Sequence, residues 1–296
     1  MSKTLRRLCV GAALAAVTGS LAACGGSGEA KGGSGGGGDG ELLKADPVAA
    51  LRSVREKTGG ADSAKVEGTT AVGDLMSMEQ SGSIAWSDGV SGNMQVTYTG
   101  GQVMETMRQS GISGPMQVRY FADGYVVDMG PAAAAALGGK QWIRYSYDDL
   151  AAMAGPSGSV LKDQLRNSTP QQAVKALLAS GDVKKAGEET VRGVRATRYS
   201  GTIDVAELSA ANSTLGAKEL AGLKKQLSTA GITTQRVDIW VDRNDLLVKK
   251  VESGKMKQGS FNSTLFYSDY GTKVTVVEPP ASETVDFKEL AKGQGS

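Results

Sequence analysis

From residue 83 onward the chain alternates apolar and polar residues over short runs, and most of these runs break at a tight-turn dipeptide. Runs 83–87 and 94–98 flank Asp88-Gly89, 116–120 and 125–129 flank Asp123-Gly124, and 189–191 and 194–203 flank Arg192-Gly193. Runs 236–241 and 246–252 flank Arg243-Asn244 in the same way. A period of two lays one set of side chains on a buried face, and two-residue turns join strands that run antiparallel. The pattern therefore predicts an antiparallel sheet, with further strands at 142–145, 263–270 and 273–277. Pro279-Pro280 ends the last of these, because proline cannot continue a ladder.

Helical periods interrupt the strands. Asp46 is a good N-cap, Pro47 fits the first helical position, and Val48, Leu51 and Val54 share one face as far as Gly59. A short helix is expected at 148–153. A longer one is capped by Ser168 or Thr169, starts at Pro170, carries Ala173, Val174, Leu177 and Leu178, and stops at Gly181. Residues 215–227 repeat the pattern with Leu220, Leu223 and Leu227. Helix, strand meander, helices, strand meander is an α+β order, in which the helices need a face of the sheet to cover.

The N-terminus has a different texture. Lys3, Arg6 and Arg7 precede an apolar stretch from Leu8 to about Val17, which leads to Leu21-Ala22-Ala23-Cys24. The layout is that of a secretory signal, too short for a spanning helix. Leu-Ala-Ala-Cys resembles the bacterial lipobox, whose cysteine takes a diacylglycerol and becomes the new N-terminus. This predicts a lipoprotein signal peptide over 1–23 and lipidation of Cys24. Residues 25–40 are dominated by glycine and make a flexible tether spanning roughly 20–24 Å. Residues 41–296 form a single domain. The expected location is the outer face of the bacterial cytoplasmic membrane, held by the lipid anchor. Of the two cysteines, Cys9 lies in the signal and Cys24 carries the lipid, so no disulfide supports the fold.

Several classes of chemistry lack their residues. With no histidine in the chain, Ser–His and Cys–His nucleophile pairs and histidine metal sites are excluded. The formal charge is +2, of which the signal supplies three positive charges, so the remainder is near −1 and offers no footprint for nucleic acid. Lys57-Thr58-Gly59 and Ser159-Val160-Leu161-Lys162 match elements of penicillin-recognising enzymes, but in reversed order. Gly32-Gly33-Ser34-Gly35-Gly36 fits G-x-S-x-G without the strand and helix that motif requires. Asp242-Arg243-Asn244-Asp245 begins like a calcium loop and fails at Leu246 and Leu247. The expectation is a protein that is not an enzyme and uses neither metal nor cofactor.

Methionine is concentrated between Met76 and Met153, and as a flexible gap-filler it suits surfaces that adapt to varied apolar partners. Ile84, Trp86, Met94, Val96, Tyr98, Met116, Val118, Tyr125, Val127 and Met129 are the candidates to line an apolar cavity, with ordinary core packing as the alternative.

Three stretches add a resemblance. They are Gly187-Glu188-Glu189-Thr190-Val191-Arg192-Gly193-Val194-Arg195-Ala196-Thr197-Arg198-Tyr199, then Ile239-Trp240-Val241-Asp242 with Leu246-Leu247-Val248-Lys249-Lys250, then Tyr267-Ser268-Asp269-Tyr270-Gly271 ahead of Pro279-Pro280. With the layout of residues 41–290 they resemble LppX/LprG-type bacterial lipoproteins of the LolA/LolB-like superfamily. The resemblance implies a curved antiparallel β half-barrel with helices covering its concave face and a cavity for the acyl chains of a lipid or lipoglycan. It also leaves room for a non-enzymatic lipoprotein that docks on an envelope protein partner.

Overall fold

The computed structural model describes residues 46–153, 162, 169–206, 217–229, 231–256 and 259–292. The signal, Cys24, the tether, Ser159 and Ser168 lie outside them. Helix α1 spans Pro47–Gly59. It starts where expected because the Asp46 carboxylate accepts the Val48 N–H at 3.0 Å, satisfying one of the orphan donors of the first turn. Its far end is pinned by the Trp86 indole, which donates to the Gly59 carbonyl at 3.0 Å. The Thr58 hydroxyl accepts the Leu247 N–H at 3.3 Å. Lys57-Thr58-Gly59 is thus the last turn of a packed helix.

Twelve strands form one sheet: β1 (Ser63–Val72), β2 (Met76–Ala85), β3 (Ser91–Gly100), β4 (Met116–Phe121), β5 (Gly124–Asp128), β6 (Trp142–Ser146), β7 (Lys184–Val191), β8 (Val194–Asp204), β9 (Ile232–Val241), β10 (Leu247–Met256), β11 (Gly259–Ser268) and β12 (Thr284–Asp286). Their order is β12-β6-β5-β4-β3-β2-β1-β11-β10-β9-β8-β7, a curved sheet that does not close on itself. The two meanders meet at the β1–β11 pairing, which joins the halves into one ladder. Every pairing is antiparallel except β12 on β6. Seven α-helices occur among the described residues: α1, α2 (Gly101–Gln109), α3 (Gly130–Ala134), α4 (Tyr147–Met153), α5 (Gln171–Ala179), α6 (Ala217–Thr229) and α7 (Phe287–Lys292). None is long and apolar enough to cross a membrane.

The concave face is the core. Helix α5 lies on β8, β9 and β10, and α1 packs over α5. Lying between sheet and helix, α5 is apolar over most of its surface: Ala173, Val174, Ala176, Leu177, Leu178 and Ala179 are all buried, with Gln171, Gln172 and Lys175 half-buried. Gly201 lets it sit that close, since a Cβ there would meet Leu177 Cδ1 at 2.8 Å. Burying Leu177 completely contributes about 2 kcal/mol.

Some expectations are corrected. Residues 273–277 alternate as a strand would, yet they join no ladder. They run as an extended strap across the outer face, where the Thr275 carbonyl accepts from Asn93 and the Val277 carbonyl from Arg119. The chain then reaches the β6 edge, where β12 pairs in parallel. Of the two expected caps of α5, Ser168 lies outside the described residues and Thr169 does not serve: Pro170 is the N-cap, and among the described residues the Thr169 hydroxyl is buried without a partner.

Candidate functional site

Alternation along each strand assigns the residues of the inner face, and the register lines them up. One row reads Met94, Val118, Val127, Ile143 across β3 to β6; Val96 faces Met116 and Tyr98 faces Met78 in the rows beside it. Of the ten cavity candidates, Met94, Val96, Tyr98, Met116, Val118, Tyr125, Val127 and Met129 fall in a single buried cluster, and half-buried Ile84 packs against it. Trp86 stands apart, bound to the end of α1 and edge-on to Tyr270 with ring centroids 6.3 Å apart. The methionines divide: Met76, Met78 and Met107 join the cluster, whereas Met104 and Met153 face solvent.

Aromatic rings fill the end of this apolar half. Tyr125 stacks on Tyr145 at 4.9 Å, and Tyr145 meets Phe287 of α7 at 4.9 Å. Burial, with the Tyr120 phenol beside it, holds the Tyr98 hydroxyl well above the usual phenol range; burial pushes Tyr120 up to about 12. Both stay neutral at any physiological pH, so this half of the face carries no charge.

The other half is different, and sequence reasoning missed it. Thr70 on β1 and Ser263 on β11 face each other with hydroxyls 3.1 Å apart. Ser263 faces Glu252 on β10. Glu252 accepts from Lys250 at 2.8 Å, with side chains 6 % and 0 % exposed. Gln235 on β9 lies diagonally beyond, fully buried, and among the described residues neither its amide nitrogen nor its amide oxygen has a partner. Simple alternation would have turned Lys250 and Glu252 outward. An irregularity between Leu247 and Lys249 shifts the phase, placing Leu247 in the inner core, Val248 in the outer cluster and Lys249 over the outward ring of Trp240. Gln235 was legible, because it shares the phase of Val237, Ile239 and Val241, but the expected strand began one residue too late.

The outer face over β7 to β10 carries a smaller apolar cluster of Val191, Ala196, Trp240 and Val248. Beside it Asp238 accepts from Arg198 at 2.8 Å and from Arg236 at 2.8 Å. Burial pushes this carboxyl up, but hydrogen bonds from Arg236, Arg198 and Ser200 outweigh it and the net shift is downward. A depressed folded value adds stability that is present above the unfolded value, near 4, and is lost as pH falls through the folded one. Asp238→Asn should therefore lower the urea midpoint at pH 7, and its deficit against the wild type should shrink as both are titrated toward pH 2.5. A deficit that stays constant with pH would show that the charge is not the cause.

Several further carboxylates are engaged structurally. Glu188 pairs with Lys185 and Arg195, Glu189 accepts from the Trp240 indole, and Asp149 pairs with Lys288. Asp148 pairs with Lys162. Asp242 turns onto its own loop, accepting the Asn244 and Leu246 N–H groups at 2.9 Å each. Among the described residues no group of three or more acidic, histidine or cysteine side chains could hold a metal ion. An open groove of about 620 Å³ lies between the β7–β8 and β9–β10 turns, lined by Glu188, Arg195, Thr197, Asp242, Arg243 and Asn244 among others.

No family model matches the chain. A Streptomyces griseus protein named "Uncharacterized 31.2 kDa protein in rplA-rplJ intergenic region" is 64 % identical over 255 residues, covering 86 % of this chain and 84 % of its own. A Streptomyces coelicolor protein named "Putative lipoprotein SCO4650" is 44 % identical over 254 residues, covering 86 % and 80 %. The chain belongs to this Streptomyces family. Among solved structures, the family's fold is similar to lipoprotein LppX of Mycobacterium tuberculosis at 17 % identity, with 78 % of this chain and 98 % of that one covered and a TM-score of 0.45. LprF of Mycobacterium bovis is similar at 16 % identity, covering 79 % and 97 %, with a TM-score of 0.45. MucB follows at 12 % identity, covering 81 % and 64 %, with a TM-score of 0.34.

Proposed function

We propose that the protein is a non-enzymatic lipoprotein of the cell envelope, anchored by lipid on Cys24 at the outer face of the cytoplasmic membrane, which holds an acyl-chain lipid or lipoglycan against its concave face. Residues 1–23 are its signal peptide, 24–40 its lipidated cysteine and tether, and 41–296 its lipid-binding domain. The observation that carries this reading is the inner face itself. Half of it, from Met78 through Met94, Val118 and Val127 to Ile143, is apolar from strand to strand, and short separate helices cover it rather than a second sheet. Separate helices can move apart without breaking a strand ladder. Each Å² of acyl chain that replaces water on such a face contributes about 25 cal/mol, so affinity needs contact area and no chemistry. The groove at the outer turns favours a second reading, docking on a membrane protein partner.

Native mass spectrometry of the full chain, purified from the membranes of a bacterial host and followed by solvent extraction, tests both. One acyl-chain molecule per protein, in addition to the thioether lipid on Cys24, is the expected result. A mass accounted for by the lipidated chain alone, unchanged when lipids are offered, sinks lipid carriage and leaves docking.

A further inference from the structure

The buried polar belt does not fit a site made only for hydrocarbon. A side-chain amide with neither atom partnered, in a fully buried position, carries an uncompensated desolvation cost of about 1–3 kcal/mol, and folded proteins rarely retain one without a use. Gln235 is in that position. Its cross-strand neighbours are Ile203 and Gly254, so neither neighbouring strand places a polar side chain directly opposite it. Glu252, diagonal to it on β10, is occupied by Lys250 at 2.8 Å, and Thr70 and Ser263 continue the polar line to β1. Lys250 and Glu252 cancel in charge, and Gln235 is neutral. The patch therefore presents hydrogen-bonding capacity with no net charge, which suits an uncharged polar group and not a phosphate. An amide that offers a donor and an acceptor together is matched by a group that does the same, a hydroxyl.

We infer that Gln235, beside the Lys250–Glu252 pair, forms a polar subsite inside the concave face that takes the hydroxyl of an uncharged lipid, of the kind a diacylglycerol or the sugar of a glycolipid carries. The inference rests on the lipid-binding reading and narrows it. The chains lie along the apolar half from β2 to β6, and the hydroxyl reaches across to β9, donating to Oε1 and accepting from Nε2.

The test uses two ligands that differ by one donor: 1,2-dioleoylglycerol and its 3-O-methyl ether, each offered to the full chain in detergent and counted by native mass spectrometry. Wild-type protein should bind the alcohol about tenfold more tightly than the ether, as expected when one buried hydrogen bond is lost and its acceptor left bare. Gln235→Leu and, as a second apolar variant, Gln235→Met should bind the two ligands equally, at the level of the wild type with the ether. Equal binding of both ligands by the wild type overturns the subsite, with water serving the amide, while leaving lipid binding in place. A tenfold preference that survives in both variants also overturns it. Failure of the wild type to bind either ligand removes the lipid reading and the subsite with it.

Discussion

Replacing Lys250 by Met should destabilise the protein by about 3–5 kcal/mol, and adding Glu252→Leu should restore most of that loss. The two side chains form an ion pair of 2.8 Å at 0 % and 6 % exposure, where bulk water cannot screen the charge left behind when one partner goes. Met keeps the length of the lysine stem, so packing changes little and the loss reports the stranded carboxylate of Glu252. The double variant removes both charges, and a pair replaced by apolar residues of similar volume is commonly neutral or stabilising. Urea unfolding of the two singles and the double measures the coupling directly. A Lys250→Met loss below about 1 kcal/mol would mean that water reaches Glu252 and that the belt is not dry. If the double variant is as stable as the wild type, the pair is not there for stability, and a role toward the ligand gains weight.

The sequence made the strands easy to see wherever one face meets solvent and a turn dipeptide follows. The Arg192–Gly193 turn is an instance: both residues have positive φ, 49° and 86°, matching the twist of the β7–β8 hairpin. The apolar half of the site was legible for the same reason, since Met94, Val96 and Tyr98 keep one phase through a regular strand. Strand β1 was not read, because Ser63, Lys65, Glu67, Gly68 and Thr70 dilute its alternation, although it joins the two halves of the sheet. Helix α2 begins at Gly101 with no side-chain cap and buries only Val103 and Met107, which leaves too little periodicity to detect. The polar belt was hidden by the shift at Leu247. A phase change of one residue alters no composition and leaves no local mark, yet it decides which of two neighbouring lysines is buried.

Tyr125→Ala should cost about 3–5 kcal/mol, lowering Tm by roughly 6–20 °C, because the largest ring contacts of the inner face converge on that position. Tyr125 is fully buried, stacks on Tyr145 at 4.9 Å with planes 15° apart, and lies 5.8 Å from the Tyr120 ring and 6.2 Å from that of Tyr147. Removing it leaves a cavity that its three ring neighbours, Tyr120 and Tyr145 on strands and Tyr147 at the start of α4, cannot collapse to fill. Tyr125→Phe keeps every ring contact and should lose no more than about 1 kcal/mol, which separates packing from the hydroxyl. The effect should also travel. Tyr145 carries Phe287 on its other side, and Phe287 is the buried residue that docks α7 at the sheet edge. With Tyr145 free to tilt, amides of α7 should exchange hydrogen faster in Tyr125→Ala while those of α5, set on β8 to β10, keep their protection. Equal loss of protection in both helices would indicate global unfolding instead. Loosening confined to α7 would identify the β6 edge, where the parallel strand β12 and the last helix close the sheet, as the place where the concave face opens.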